Sequence, residues 1–312
     1  MVKFIIKRSF YGIFTIFVII TITFFLIHAI PGDPMAQGEK HLPKEAYANF
    51  RAKYHLDQPM HIQYIYYLKG LITKGDLGES LIYTGRTVND TIINYAPTSA
   101  VIGAQAAVIE IVFGLLLGIV AALKRGKWVD QFVMFLVILG VCVPSFVFAS
   151  LLQYFCAVKH NILPLFGWGE FKHTIMPSIA LALGGIASYS KYMRNSTLSV
   201  VNEDYIVTAR AKGVSTFRLI FKHILRNAMI PMVTLIAPNI LFIFTGAFVV
   251  ERMFAVPGIG AYFVNSVNLN DYSMIMGLTI FVAVLYIISL IFVDIIYGLV
   301  DPRIRVAKGG RE

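Results

Sequence analysis

The chain of 312 residues is 57% hydrophobic and only 14% charged, with a mean hydropathy of +0.72. That composition excludes a water-soluble fold of this size, so lipid is the expected solvent. Two cysteines, Cys142 and Cys156, exclude a disulfide-built scaffold, and the net charge of +10 has to be placed along the chain before it says anything about partners.

Six stretches reach the roughly 20 apolar residues that a bilayer crossing needs: 9–30, 99–123, 131–158, 174–193, 231–250 and 277–299. The first follows Lys3, Lys7 and Arg8, but its apolar run is too long for a signal peptide. The Ile30-Pro-Gly-Asp-Pro34 that follows is no small-residue cleavage site, so the segment is expected to stay as an anchor. Residues 31–98 are longer than a linker requires and are expected to form a small external subdomain. Pro59, Gly70, Gly75, Gly78 and Gly85 mark its turns, and His61–Leu71 suits a short helix. His55 and His61 face different ways on a helix and have no Cys, Asp or Glu at ligand spacing, so no metal site is expected.

In the second span, Gly114-Leu-Leu-Leu-Gly118 permits close helix approach, with packing inside this fold as the expected use. Glu110 reads as the one ionisable residue deep in a span, and two readings stay open. It is a functional carboxylate on a pathway, with Gln105 near it, or a structural one hydrogen-bonded to a neighbouring helix. Pro144 and Pro177 are expected to interrupt the third and fourth spans, and Gly184-Gly185 to loosen the fourth. Helices three to five are thus expected to wall the pathway, with Glu110, Gln105, Pro144 and Gln153 as candidates. Cys142 and Cys156, fourteen residues apart on a continuous helix, stand roughly 21 Å apart and cannot pair.

An even number of spans puts both termini on one side. If that side is the cytoplasm, most of the 27 Lys and Arg residues fall in the N-terminus, 124–130, 191–230 and 300–312, while charges balance outside. This is the positive-inside asymmetry, and it accounts for the basic balance without a nucleic-acid partner. No Walker A, HExxH, GxSxG or CxxC pattern is present, which leaves no visible nucleophile, metal centre or ATP site and no cofactor for this chain.

The loop 194–230 is the most informative. Asn202 is the expected N-cap of a helix with Glu203 and Asp204 in its first turn. It runs over Tyr205–Lys212 and closes at Gly213 in the left-handed region. Ser215 or Thr216 can cap a second helix, with Phe217, Ile220, Phe221, Ile224 and Ala228 on one face and Arg218, Lys222 and Arg226 off it. Pro231 is expected to start the next span. Ala209 and Ala211 leave the first helix thin on opposite sides. On these residues alone it is a connecting loop or a tip for a partner's cleft. Between the last two spans, Pro257, Gly258 and Gly260, with Glu251 beside them, form a chain reversal, an external gate or a binding-protein contact.

The run Tyr205-Ile-Val-Thr-Ala-Arg-Ala-Lys-Gly213, followed by His223-Ile-Leu-Arg-Asn-Ala-Met-Ile-Pro231, resembles the coupling-loop signature of ABC importer permeases in its oligopeptide/dipeptide form. Further pieces match that family in order: Ile30–Pro34, Leu56-Asp-Gln-Pro59, Gly75-Asp-Leu-Gly-Glu-Ser80, Val143-Pro-Ser-Phe146, His173-Thr-Ile-Met-Pro177, Val256-Pro-Gly-Ile-Gly260, Asn270-Asp-Tyr272 and Val300-Asp-Pro-Arg-Ile-Arg305. One departure is Val207, where the general importer form carries an acid.

The resemblance implies an all-α integral membrane protein, a type I (MetI-like) permease with six transmembrane helices and a long external loop after the first, of the B type. Its implied parts are 1–30, 31–98, a core over 99–300 that includes the coupling loop, and a tail over 301–312. It also implies a heterodimer with a homologous C-type permease, two ABC ATPases that bind the ATP and Mg, and an external peptide-binding protein. Tyr205, Thr208, Ala209, Arg210, Ala211, Lys212 and Gly213 would sit in an ATPase groove. The implied location is the bacterial plasma membrane with both termini cytoplasmic, and the implied cargo is oligopeptides, with dipeptides or nickel and metal chelates carried by relatives. The chain itself is no enzyme on this reading. A stand-alone secondary transporter or channel is the reading of a different class, and it rests on Glu110.

Overall fold

The computed structural model describes residues 2–29, 51–52, 55–83, 85–243 and 247–300. These fold as α1 (Val2–Ala29), α2 (Met60–Lys74), α3 (Val88–Leu123), α4 (Trp128–Cys142) and α5 (Ser145–Leu152), which continues into a π-helical stretch, Gln153–Lys159. Next come α6 (Phe171–Val201), α7 (Asp204–Ala211) and α8 (Thr216–Arg218), which passes through π-helical Leu219–Ile224 into α9 (Leu225–Ile243). The described chain closes with α10 (Phe248–Met253), α11 (Ile259–Asn268) and α12 (Tyr272–Val300). The segments of the expected motifs at 30–34 and 301–305, and the expected tail over 301–312, lie outside the described residues.

Ile6–Ala29, Val88–Leu123 and Tyr272–Asp294 are each long and apolar enough to cross a membrane. Trp128–Cys142 with Ser145–Lys159 adds a fourth crossing if taken as one broken span, bent by 106°. Val143 sits at φ −85°, ψ 117°, because the residue before a proline is pushed out of the α region. The helix therefore stops there and restarts behind Pro144. The span over 131–158 is thus interrupted at Pro144 as expected, with a bend sharp enough to make an elbow, and Cys142 and Cys156 do not share one continuous helix; both are free. Pro177 does not interrupt: α6 runs unbroken past it and past Gly184-Gly185.

Other boundaries move for local reasons. Thr87 caps α3 by accepting from the Asp90 N–H at 3.0 Å, so the helix starts at Val88 and carries Pro97 inside it. The expected boundary at residue 99 therefore falls within α3. Helix α9 begins at Leu225, so Pro231 lies inside it rather than at its start. Phe248–Met253 forms a separate short helix rather than the end of the fifth span. The expected helix over 61–71 is present and longer, but it is no independent body. Tyr64, Tyr67, Leu68 and Leu71 of α2 pack on Ile20, Phe24, Ile27, Met276 and Ile280 of α1 and α12, and the Tyr64 hydroxyl lies 2.6 Å from Thr21 Oγ1.

Two ends of the bundle follow from the contacts. Helices α1 and α12 are antiparallel: Arg8 pairs with Asp294 at 2.6 Å, while His28 meets Tyr272 far along α1. Asp294 is therefore a second acid within an apolar span, which the sequence reading overlooked. The start of α3 packs with the start of α12, Val88 against Met274 and Leu278. Helices α3 and α6 run parallel at van der Waals range, from Gln105 beside Ser178 to Gly118 beside Met193, because glycines line the seam. A methyl at Gly114 would lie 2.6 Å from Tyr189 Cβ, and one at Gly118 2.6 Å from the Ser190 carbonyl. The Gly114–Gly118 step is thus used inside the chain. The end of α6, α7, the α3–α4 turn and Arg8 share one end; the start of α12, α10 and α11 share the other.

Candidate functional site

Helix α7 is built as a corner. Helix α6 ends at Val201, and after Asn202 alone Glu203 takes the N-cap position, one residue later than expected and without a side-chain cap. At the far end Gly213 stands at φ +75°. Its N–H donates to the Arg210 carbonyl at 2.9 Å, and the Val214 N–H donates to the Ala209 carbonyl at 3.2 Å. These two bonds are a Schellman closure, which needs a residue comfortable at positive φ. Ile206 and Ala209 turn inward onto Leu219 and Ile224, with Val200, Val201, Val214 and Ile220 around them.

The opposite face of α7 is open. Tyr205, Val207, Thr208, Arg210, Ala211, Lys212 and Gly213 are exposed, Val207 at 61%. Ala209 is only 9% exposed, so it belongs to the packed side and not to the thin outer face expected of it. The second helix also departs from its expected face. Leu219, Ile224 and Ala228 are buried, while Phe217 and Phe221 are exposed with their rings 4.5 Å apart. The π-helical turn causes this, because its i→i+5 bonds add residues to the turn and rotate what precedes it.

The corner is tied into the bundle on both sides. The Ser196 hydroxyl donates to the Ala228 carbonyl at 2.8 Å, joining α6 to α9, and Tyr189, Met193, Ala228 and Met232 pack between those helices. Arg194 on α6 donates two hydrogen bonds to Asp130 on α4, at 2.6 and 2.8 Å, and Asp130 also accepts from the Gly126 N–H at 3.0 Å. A planar guanidinium bound in this paired way fixes angle as well as distance.

The pathway candidates do not gather at one place. Glu110, 6% exposed, lies at the α3–α6 crossing against Gly185. It takes a hydrogen bond from Tyr189, and its Oε1 has no partner among the described residues. Gln105, one turn and a half away, accepts from the Ser178 hydroxyl at 2.9 Å and lines an open apolar groove between α3 and α6. Pro144 is exposed at the elbow. The Gln153 amide donates to the Met253 carbonyl at 2.9 Å, so it braces α10.

At the far end, Glu251 is 1% exposed. Its carboxylate accepts from the Ala247 N–H at 3.1 Å and the Gly260 N–H at 2.9 Å, while Ser99 Oγ accepts from the Ile259 N–H at 2.9 Å. A methyl on Gly258 or Gly260 would meet that carboxylate at 2.3 or 2.8 Å. Both glycines are buried and Pro257 is half-buried, so the loop is wound around an internal carboxylate.

Against known families, the model described as "Binding-protein-dependent transport system inner membrane component" matches residues 114–306, and its N-terminal counterpart matches residues 1–101. The chain belongs to this family of inner membrane components. The dipeptide transport system permease protein DppB of Bacillus subtilis (strain 168) is 43% identical over 310 residues, 99% of this chain and 100% of its own. The oligopeptide transport system permease protein OppB of Salmonella typhimurium is 42% identical, covering 98% and 100%. DppB of Lactococcus lactis subsp. cremoris is 38% identical over the same shares. A crystal structure of an amino acid ABC transporter with histidines aligns at a TM-score of 0.47 and 16% identity, over 68% of this chain and 96% of that one.

Two constellations in this permease escaped sequence reasoning. One is the Asp130–Arg194 pair, whose members are 64 positions apart. The other joins two of the motifs already quoted. Asp271, fully buried, accepts from the Ser80 hydroxyl, from the Leu81 N–H at 3.1 Å and from the Met274 N–H at 3.2 Å. Residue spacing could not reveal that Gly75–Ser80 and Asn270–Tyr272 meet; the shared polar character of two short turns was the available signal.

Proposed function

We propose that this inner membrane component is one permease subunit of an ATP-driven importer that carries oligopeptides or dipeptides across the bacterial plasma membrane, with α7 as the helix that receives motion from an ATPase on another chain. The observation that carries the reading is the outward face of α7, Tyr205, Val207, Thr208, Ala211 and Lys212, presented between two bundle helices by a glycine closure. The relatives' names, dipeptide and oligopeptide transport system permease proteins, support the cargo.

On this reading the chain makes six crossings: α1, α3, the α4–α5 elbow, α6, α9 and α12. Both termini and α7 lie on the cytoplasmic side, as the basic residues favour. A homologous permease, two ATPases that hold ATP and Mg, and an external binding protein complete the assembly. ATP-driven closure of the ATPases would move α7, and because α6 and α9 are hydrogen-bonded and packed beside it, the load passes into both helices. Alternating access then needs two discrete packings whose balance the nucleotide state shifts.

Reconstitution tests this directly. Liposomes carrying the chain alone are expected to take up no peptide, whereas the full assembly takes it up only with ATP. Uptake by the chain alone, driven by an ion gradient, would overturn the proposal in favour of a secondary transporter.

A further inference from the structure

At the end opposite α7, Arg86 stands between α2 and α3 with its backbone held on both sides. Its N–H donates to the Tyr83 carbonyl at 3.1 Å, and its carbonyl accepts from the Ser80 N–H at 2.9 Å. Its guanidinium lies 5.3 Å from the ring centroids of both Tyr83 and Tyr262. Tyr262, on α11, packs at 4.2 Å on Tyr95 of α3 and is hydrogen-bonded to both Tyr95 and Arg86. Three elements thus converge on one half-buried cation.

The charge is left open. Among the described residues no carboxylate lies within ion-pair range of Arg86, whereas Arg8 has Asp294 and Arg194 has Asp130. Aromatic faces attract a guanidinium but do not neutralise it. Its planar fork matches a carboxylate through two parallel hydrogen bonds, a match that a lysine cannot reproduce. Burial and the neighbouring Tyr95 push the Tyr262 phenol upward, so it stays a donor, and phenols beside the fork can donate to the same two oxygens.

We propose that Arg86, with Tyr83, Tyr95 and Tyr262, reads the C-terminal carboxylate of the transported peptide as it enters the permease. This rests on the peptide-importer reading above. The test uses the complete assembly in proteoliposomes with its binding protein, and compares uptake of trialanine with that of trialanine amide. Arg86→Gln is expected to lower the acid-to-amide uptake ratio by about tenfold, the scale of one charged, paired hydrogen bond. Tyr262→Phe, which keeps the ring and loses the hydroxyl, is expected to lower it by about threefold.

An equal fall for both peptides would make Arg86 a structural clamp and overturn the inference. An unchanged ratio with weaker docking of the empty binding protein would assign the carboxylate to that protein, and would overturn it too. If Arg86→Gln fails to assemble, Tyr262→Phe decides: an unchanged ratio there also overturns it. No peptide uptake by the unsubstituted assembly would instead overturn the importer reading itself, and this inference with it.

Discussion

Gly213 has open space where a side chain would go, so an alanine there meets only the backbone cost of positive φ, about 1 kcal/mol. Proline cannot reach that φ and also removes the N–H that closes the helix. Gly213→Ala is therefore expected to keep most coupled uptake. Gly213→Pro is expected to insert normally but hydrolyse ATP without uptake, measured as both rates at equal subunit levels. Ala209 makes a different point. Because it faces Leu219 and Ile224, Ala209→Trp overpacks the corner and is expected to cost about 1–3 kcal/mol of stability, seen as a lowered melting temperature. Ala211→Trp, on the exposed face, is expected to leave melting unchanged and to reduce co-purification with the ATPase. Glu251 is a third case: Glu251→Ala strands one buried and one part-buried N–H group and is expected to destabilise by about 2–4 kcal/mol, with Glu251→Gln recovering part of this in thermal unfolding.

Among the helices, the α3–α6 crossing and the α4 anchor define the body that the α7 corner would move. Gly114, Gly118 and Gly185 bring α3 and α6 together, and the Asp130–Arg194 pair fastens α4 about two turns before α6 ends. With Asp130 nearly buried and Arg194 about a fifth exposed, removing one partner is expected to cost about 2 kcal/mol. Asp130→Ala and Arg194→Ala should each lower the melting temperature and the peptide carried per ATP hydrolysed. The exchanged pair, Asp130→Arg with Arg194→Asp, should recover part of both. An unchanged transport-to-hydrolysis ratio in the single variants would limit the pair to holding the fold. The π-helical turn before α9 belongs to this scale as well, since it turned Phe217 and Phe221 outward and Leu219 inward, a rotation that an ideal helical period could not anticipate.

Across the whole molecule, the contacts place α7 at one end and α10 and α11 at the other. In a background of Cys142→Ser and Cys156→Ser, a cysteine at exposed Lys212 is expected to react with an impermeant thiol reagent only from the cytoplasmic side. One at exposed Arg252 should react only from outside. Labelling of both from one face would overturn the crossing scheme. Much of this architecture was legible in residue order: the apolar runs, the glycine closure at Gly213, the helix near 61–71 and the elbow at Pro144 are all local consequences of side-chain type and backbone freedom. What the linear order could not supply was which polar groups meet. Glu251 with Gly260, Ser80 with Asp271, Asp130 with Arg194 and Arg86 within its tyrosines join distant positions, and long-range pairing leaves no periodic trace.

The sequence by itself determined the solvent, the family resemblance and the corner at 204–213, because hydropathy, motif order and a left-handed glycine are properties of neighbouring residues. Only the tertiary structure decided which face of that corner is open and which polar residues brace the bundle. Those answers depend on how helices from opposite ends of the chain pack, and close packing lets a side chain serve an interior or a surface, but not both.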